Sequence, residues 1–537
     1  MKKTTFDDIK KALWAGANTF RDNIDASNYK DYVLSMFFVK YLSDTYAESV
    51  EELKKEYSGI RFERQIENLP FSLKEDYTFD FLLEHKFDND IGNKISEALT
   101  GIESSNAILS GIFRGIDFNS ESNLGKKEQK NPILRNLLGD FENLDLRPSH
   151  IEIKDNQISA DVIGDAYEYM IGEFATMAGK KAGSFFTPQQ VSEIMAQIVL
   201  PAENDRVYDP TCGSGSLLIR AARKGGFDKV QMYGQEVNSS AISMARMNMF
   251  IHGIKDASIK WGDTLANPQH LDSDGNLMKF DCIVANMPFS KDKWAEGFNP
   301  GGEVSVDTGE DKIDTKKKAS KKDFKMEANL DRWHRFDMGV PPASKGDWAF
   351  LLHMIASMSG NGRVAAVAPY GVLFRGASEG RIRQSIIEKN LIDAVIGLPE
   401  NIFYGTSIPA CIIVFRRGRT NTDILFVDAS KSFKKDKAKN VLRDEDIIKI
   451  VETYQAYRNG NYEALSGEYK DKYSHVASLN EIKENDFNLN IPRYVDTFDE
   501  EKIIDINAVN AEIADLKIQI AKVEAEMAKY LEELGVD

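Results

Sequence analysis

Phe280-Asp281-Cys282-Ile283-Val284-Ala285-Asn286-Met287-Pro288-Phe289 is an apolar run that stops at an amide, a proline and an aromatic ring. The first part reads as a buried strand of a parallel sheet, being short, β-branched and bounded by turn residues. Open parallel sheets bind ligands outside the carboxyl ends of their strands, and Asn286 falls there. An exocyclic base amine is planar and a poor nucleophile, because its lone pair is delocalised into the ring. The amide oxygen of Asn286 and the backbone carbonyl of Met287 suit acceptance of both amine protons, which favours a pyramidal, nucleophilic nitrogen. Phe289 would stack on the base, flipped out of its duplex to reach such a pocket. The bland alternative is a strand followed by a turn, with Phe289 in the core, and the tetrapeptide alone leaves it open.

A second stretch lies upstream, Val207-Tyr208-Asp209-Pro210-Thr211-Cys212-Gly213-Ser214-Gly215-Ser216-Leu217. Here a strand delivers an acid into a glycine turn, and Leu217-Leu218-Ile219 opens a helix. Glycines at such a turn let the backbone approach a ligand closely. No Lys-Ser or Lys-Thr follows, which excludes a nucleoside-triphosphate P-loop, and the third glycine of a dinucleotide fingerprint is missing at its proper offset. Together, Asp209-Pro210-Thr211-Cys212-Gly213-Ser214-Gly215-Ser216 and Asn286-Met287-Pro288-Phe289 resemble the cofactor and catalytic motifs of amino-group DNA methyltransferases that use S-adenosylmethionine.

Other positions fit that register. Glu236 ends the short strand Met232-Tyr233-Gly234 roughly twenty residues past the glycines, where doubly wound folds place an acid for ribose hydroxyls. Asp263, after Ser258-Ile259-Lys260-Trp261, resembles the family's acid that faces the cofactor's adenine. Gly183-Ser184-Phe185-Phe186-Thr187-Pro188 resembles the motif that holds the methionine end of the cofactor in adenine methyltransferases. Thr187 with Gln190 also reads as a capping box with Pro188 at the first helical position, a helix start whose free N–H groups suit an anion. A well-capped helix with no ligand is the plainer reading of the same residues.

The rest of the chain sets the context. With 537 residues, two or three domains are expected. Three scattered cysteines, Cys212, Cys282 and Cys411, have no ligand spacing, so buried free thiols are expected rather than disulfides or a metal site. No apolar run approaches a membrane span and the first residues lack a signal-peptide core, so a cytoplasmic location is expected. The 68 basic and 84 acidic residues leave a net charge of −16, whereas a protein gripping a long duplex alone carries a basic face; local basic clusters or a partner must then do the gripping.

Residues 1–155 read as helical, with Leu34, Phe37, Phe38, Tyr41 and Leu42 on one helix face that packs in a helical domain or meets another subunit. Asn119 to Lys130 reads as a loop. Ile163, Ala166, Tyr167, Met170, Ile171 and Phe174 form a second helical stripe. The α/β domain spans 156–480, and its predicted strands continue through Val364–Ala368, Ile392–Ile396 and Ala410–Phe415, making about seven from Val207, with a helix at Ser378–Glu388. The glycine- and lysine-rich stretch 299–325 suits a mobile loop beside the pocket, solvated or closing over DNA phosphates. Asn490-Ile491-Pro492-Arg493-Tyr494 reads as an extended connection within the last segment, 481–537. There Ile506, Val509, Ile513, Leu516, Ile520, Val523, Met527, Tyr530 and Leu534 alternate by three and four over about four heptads, the seam of a coiled coil or a helix folded back on its own globule.

This assembly of features resembles the modification subunit of type I restriction-modification systems: an α/β, doubly wound, seven-stranded S-adenosylmethionine-dependent methyltransferase domain, preceded by a helical domain and followed by a coiled-coil helix. The resemblance implies methylation of adenine N6 in double-stranded DNA. It also implies two such chains on one specificity subunit that chooses the target, with a restriction subunit in the full complex. One departure is Met287, where the family commonly has proline; the bond assigned there uses the backbone carbonyl, which methionine also has. A free-standing DNA methyltransferase, a protein or ribosomal RNA methyltransferase with a similar tetrapeptide, and an inactive scaffold are the competing readings.

Overall fold

Cys282 and Val284 pack into one apolar core, and Ile283, Ala285 and Met287 into another. Alternate side chains of a strand point to opposite faces, so this split makes the strand the floor between two layers of helices. The computed structural model describes residues 3–21, 24–154, 157–177, 186–298, 326–403, 406–436, 439–465, 472–496 and 506–534. Gly183, Ser184, Phe185 and the lysine-rich stretch 299–325 lie outside them.

The strands are β1 (Arg206–Asp209), β2 (Gln231–Glu236), β3 (Ser258–Trp261), β4 (Phe280–Asn286), β5 (Met358–Pro369), β6 (Ile392–Gly397), β7 (Ala410–Arg416) and β8 (Ile424–Asp428), with a separate hairpin of β9 (Lys434–Asp436) and β10 (Lys439–Val441), and β11 (Ser474–Ala477). The main sheet runs β11-β8-β6-β7-β5-β4-β1-β2-β3. It is mostly parallel; β7 is antiparallel to β5 and β6, and β11 is antiparallel to β8. All seven segments counted as strands are present, but the sheet has nine among the described residues. The two additions, β8 and β11, extend one edge.

Helices Gln189–Val199, Ser216–Gly225 and Asp444–Arg458 cover the Val284 face, and Asp347–Ser357 and Ala377–Glu388 cover the Ile283 face. Helix Ser239–Ile251 serves two cores. Ile242, Ala245 and Met249 face the sheet, while Ala241, Met244, Met247 and Phe250 join the core of the N-terminal helices. The stripe Ile163, Ala166, Tyr167, Met170, Ile171 and Phe174 is buried in that same N-terminal core, on helix Ser159–Met177.

Several local expectations are corrected. Helix Ala26–Glu56 carries Leu34, Phe37, Phe38, Tyr41 and Leu42, but from Tyr29 to Asp44 it is buried on every side rather than on one face. Its buried charges are paired, Lys40 with Asp44 at 2.6 Å and Asp44 with the Leu146 N–H at 2.7 Å, whereas the Ser35 and Thr45 hydroxyls have no partner among the described residues. The loop expected over Asn119 to Lys130 holds helix Glu121–Leu124 and the start of helix Lys127–Phe141, whose Leu134, Leu137, Leu138 and Phe141 enter the core. Asn490–Tyr494 contains a 3₁₀ turn at Ile491–Arg493 and packs on the sheet, with the Tyr494 ring stacked 4.0 Å from Phe426.

Residues Met1–Val495 form one compact unit and Asp496–Asp537 a second. Among the described residues the second contains one helix, Ile506–Leu534, on which Val509, Ile513, Leu516, Ile520, Val523, Met527, Tyr530 and Leu534 are exposed. Among the described residues no helix is long and apolar enough to cross a membrane. All three cysteines are buried and unpaired.

Candidate active site

The strand order β4-β1-β2-β3 brings together motifs that are up to 77 residues apart in sequence, from Asp209 to Asn286. These four strands are parallel neighbours, so Asn286, Asp209, Glu236 and the Gly262-Asp263 turn fall along one carboxyl edge. At about 4.8 Å per strand, the amide is one strand from the glycine turn and roughly 10 Å from Glu236.

The turn is held almost entirely through its backbone. Asp209 accepts the Thr211 N–H at 2.9 Å, the Gln235 carbonyl accepts the Cys212 N–H at 3.0 Å, and the Cys212 carbonyl accepts the Gly215 N–H at 2.7 Å. Gly213 (φ 52°) and Gly215 (φ 80°) occupy the left-handed region, which a side chain disfavours. A Cβ at Gly215 would also lie 3.1 Å from the Met249 methyl. Helix Ser216–Gly225 starts directly after it, and Asn248 donates to the Ser214 carbonyl at 3.1 Å.

Glu236 closes the turn from the next strand. Its Oε2 accepts the Gly213 N–H at 3.0 Å and its Oε1 the Asn238 N–H at 2.8 Å, leaving lone pairs for a ligand's hydroxyls. Burial raises its pKa, against the pull of those backbone donors. Burial, with a smaller contribution from the Glu236 charge, pushes Asp209 up to about 8. Asp263 Oδ1 accepts the Leu265 and Ala266 N–H groups at 2.8 and 3.2 Å, and its other oxygen lies 3.9 Å from Lys291 Nζ.

Asn286 is half-buried at the end of β4, and among the described residues its side-chain amide has no hydrogen-bond partner. Met287 is buried, while Pro288 and Phe289 are half-buried. The Phe289 ring meets Phe403 edge-on at 5.9 Å. Phe403 belongs to the loop that leaves the carboxyl end of β6, so this loop reaches the tetrapeptide.

Of the upstream motif, Phe186, Thr187 and Pro188 are described and all are buried. The capping box does not form: helix Gln189–Val199 has Pro188 as its N-cap, with ψ 134° and no side-chain cap bond. The extended proline leaves Thr187 one residue short of the cap. The other end of this helix lies at the amino ends of the strands, where the Val199 carbonyl is 3.6 Å from Cys282 Sγ. Its amino end, with Thr187, therefore points back towards the carboxyl edge.

Two contributors were not singled out in the sequence. Gln235 is fully buried and ties the Asp263 turn in place, donating to the Gly262 and Asn267 carbonyls at 3.2 and 3.0 Å and accepting the Gln269 N–H at 3.0 Å. A polar residue inside a buried strand was the available signal. Asn248 is the other, a fully buried amide among the methionines of helix Ser239–Ile251. A bare-backbone glycine turn, two acids beyond it and an unpaired amide next door suit a nucleoside-bearing cofactor beside a second, planar ligand.

The N-6 DNA Methylase family matches residues 158–503, and the HsdM N-terminal domain matches residues 9–141. The type I restriction enzyme MpnII methylase subunit of Mycoplasma pneumoniae is 31% identical over 98% of this chain and 96% of its own length. The MjaVIII methylase subunit of Methanocaldococcus jannaschii is 29% identical over 100% of this chain and 86% of its own. The crystal structure of a type I restriction-modification system methyltransferase subunit from Streptococcus thermophilus superposes with a TM-score of 0.74 at 34% identity, covering 92% of this chain and 100% of that one. By these matches, the chain belongs to the N-6 DNA methylase family and, within it, to the type I restriction enzyme methylase subunits.

Proposed function

We propose that this chain, the modification subunit of a type I restriction-modification system, transfers a methyl group from S-adenosylmethionine to adenine N6 in double-stranded DNA. Its target is chosen by a separate specificity subunit. The observation that carries the chemistry is the adjacency of β1 and β4, which sets the glycine turn beside Asn286. When bound, S-adenosylmethionine supplies an electrophilic methyl group on a sulfonium.

The chain's own residues bind, orient and polarise. Asp209, Gly213, Ser214, Gly215 and Ser216 form the cradle, Glu236 binds ribose hydroxyls, and Asp263 faces the cofactor's adenine. Gly183, Ser184, Phe185, Phe186, Thr187 and Pro188 hold the methionine end. The Asn286 amide oxygen and the Met287 carbonyl accept hydrogen bonds from the two N6–H groups of the target adenine, one of whose protons is released to water as the methyl group is gained, and Phe289 stacks on the flipped base. Positioning and electrostatics then supply most of the rate.

The assembly divides this work. In our reading, residues 1–155 and 156–480 act as the helical and methyltransferase parts, and 481–537 joins the complex through the exposed apolar stripe of helix Ile506–Leu534. Two copies join one specificity subunit, and a restriction subunit completes the complex. Co-expression with the specificity subunit, followed by mapping of methylated bases, tests the proposal. N6-methyladenine at one defined sequence is expected; an unmethylated genome together with no calorimetric binding of S-adenosylmethionine would overturn it.

A further inference from the structure

The segment that leaves the tetrapeptide is pinned by a buried acid. Ser290 has φ 49°, a left-handed conformation that serine rarely adopts, and its N–H donates to Asp347 Oδ1 at 2.5 Å. Asp347 is the first residue of helix Asp347–Ser357 and is fully buried. Its second oxygen accepts Arg375 Nη1 at 3.0 Å, and the same nitrogen donates to Glu379 Oε1 at 2.9 Å. Glu379 is itself buried, so two buried acids share one half-buried guanidinium.

Two backbone bonds fix the same junction from the other side. The Gly346 N–H donates to the Lys291 carbonyl at 2.9 Å, and the Lys293 N–H donates to the Ala343 carbonyl at 2.9 Å. Gly346 has to be small: a Cβ there would sit 2.9 Å from Trp294 Cβ and 3.2 Å from the Lys291 oxygen. A helix-starting acid is also stabilised by the helix dipole when it faces water. Burying it costs free energy that its partners must offset. What the buried arrangement adds is a fixed anchor one residue beyond Phe289.

We propose that Asp347, held by Arg375 and Glu379, is a positioning residue: by pinning Ser290 it keeps the Asn286 amide, the Met287 carbonyl and the Phe289 ring in the geometry the flipped adenine requires. This rests on the function proposed above. Asp347 touches neither substrate nor cofactor in this scheme, and it acts through Ser290, four residues along the chain from Asn286 and three from Met287. An error of about 1 Å in such a site costs on the order of 100-fold in rate.

The test uses the complete complex with its specificity subunit and compares wild type, Asn286→Ala, Asp347→Ala and Asp347→Asn. Asp347→Ala should lower kcat by about 10- to 100-fold, with S-adenosylmethionine affinity by calorimetry within about twofold of wild type and a weaker fluorescence rise from 2-aminopurine at the target position. Asp347→Asn keeps an acceptor oxygen for the Ser290 N–H and should recover most of the loss. Should Asp347→Ala fail to fold, Arg375→Lys, which loses the planar bridge between the two acids, should lower kcat with unchanged cofactor affinity. If wild type methylates adenine and Asn286→Ala is strongly slowed, full kcat in Asp347→Ala or Arg375→Lys overturns this inference alone. So does a parallel loss of kcat and cofactor affinity, the mark of a purely structural role. A wild-type complex that methylates no adenine sinks the functional reading and this inference together.

Discussion

Glu236 Oε2 accepts the Gly213 N–H at 3.0 Å, so the acid that ends β2 holds in shape the glycine turn that follows β1. One carboxylate thus organises the cradle and presents an acceptor to the ligand. Glu236→Ala should weaken S-adenosylmethionine binding by more than about tenfold, because hydrogen bonds to a charged group contribute roughly 1.5–3 kcal/mol. Calorimetry on the purified chain measures this directly. Unchanged affinity would remove Glu236 from the cofactor site.

Asn286→Ala should lower methyl transfer by about 10²–10³-fold while leaving the cofactor bound. Loss of one donor or acceptor aimed at a developing charge typically costs about 10²–10³-fold in kcat. Single-turnover methylation and calorimetry on the same preparation separate the two effects. Full methyl transfer by this variant would refute the assignment of the amide.

Gly215→Ala places a side chain at φ 80° and 3.1 Å from the Met249 methyl. The left-handed conformation alone costs on the order of 1–2 kcal/mol for an L-residue. Urea unfolding should show a loss of that size, and cofactor affinity should fall with it. A variant as stable as wild type would mean that the turn relaxes freely.

Stability should depend on pH through Glu168, a buried carboxyl on helix Ser159–Met177 near Arg220 and His252. Burial raises its pKa to about 7, well above the unfolded value. Between those values the folded chain binds more protons than the unfolded one, so this group's contribution is present in acid and is lost as pH rises through about 7. Glu168→Gln removes the ionisation. Its stability relative to wild type should improve by on the order of 2 kcal/mol between pH 5 and pH 8. Urea melts at the two pH values give the difference; an equal offset at both would contradict the raised pKa.

Local pattern explains what was legible beforehand and what was not. Most strands from Val207 to Phe415 are readable because they are short, largely buried runs between turn residues; β3, with Lys260 and Trp261 exposed, is the exception. β11, Ser474-His475-Val476-Ala477, has no such run and becomes a strand only by pairing with β8. The stretch Asn119–Lys130 looked like a loop because its lysines and glycine dominate locally, yet the helix beginning at Lys127 is drawn in by leucines further along. The capping box failed over a single dihedral, Pro188 ψ, which residue identities leave undetermined.

By itself the sequence determined the chemistry on offer: an amide after a strand, glycines where only glycine fits, and acids at strand ends, since each depends on residue type and near neighbours alone. Tertiary structure decided which of them meet. The order β4-β1-β2-β3 juxtaposes Asn286 with the glycine turn and Glu236, and the pin from Asp347 to Ser290 spans 57 residues. Both arise from packing between distant segments, whose free energy is shared among many side chains and written in no single stretch of the chain.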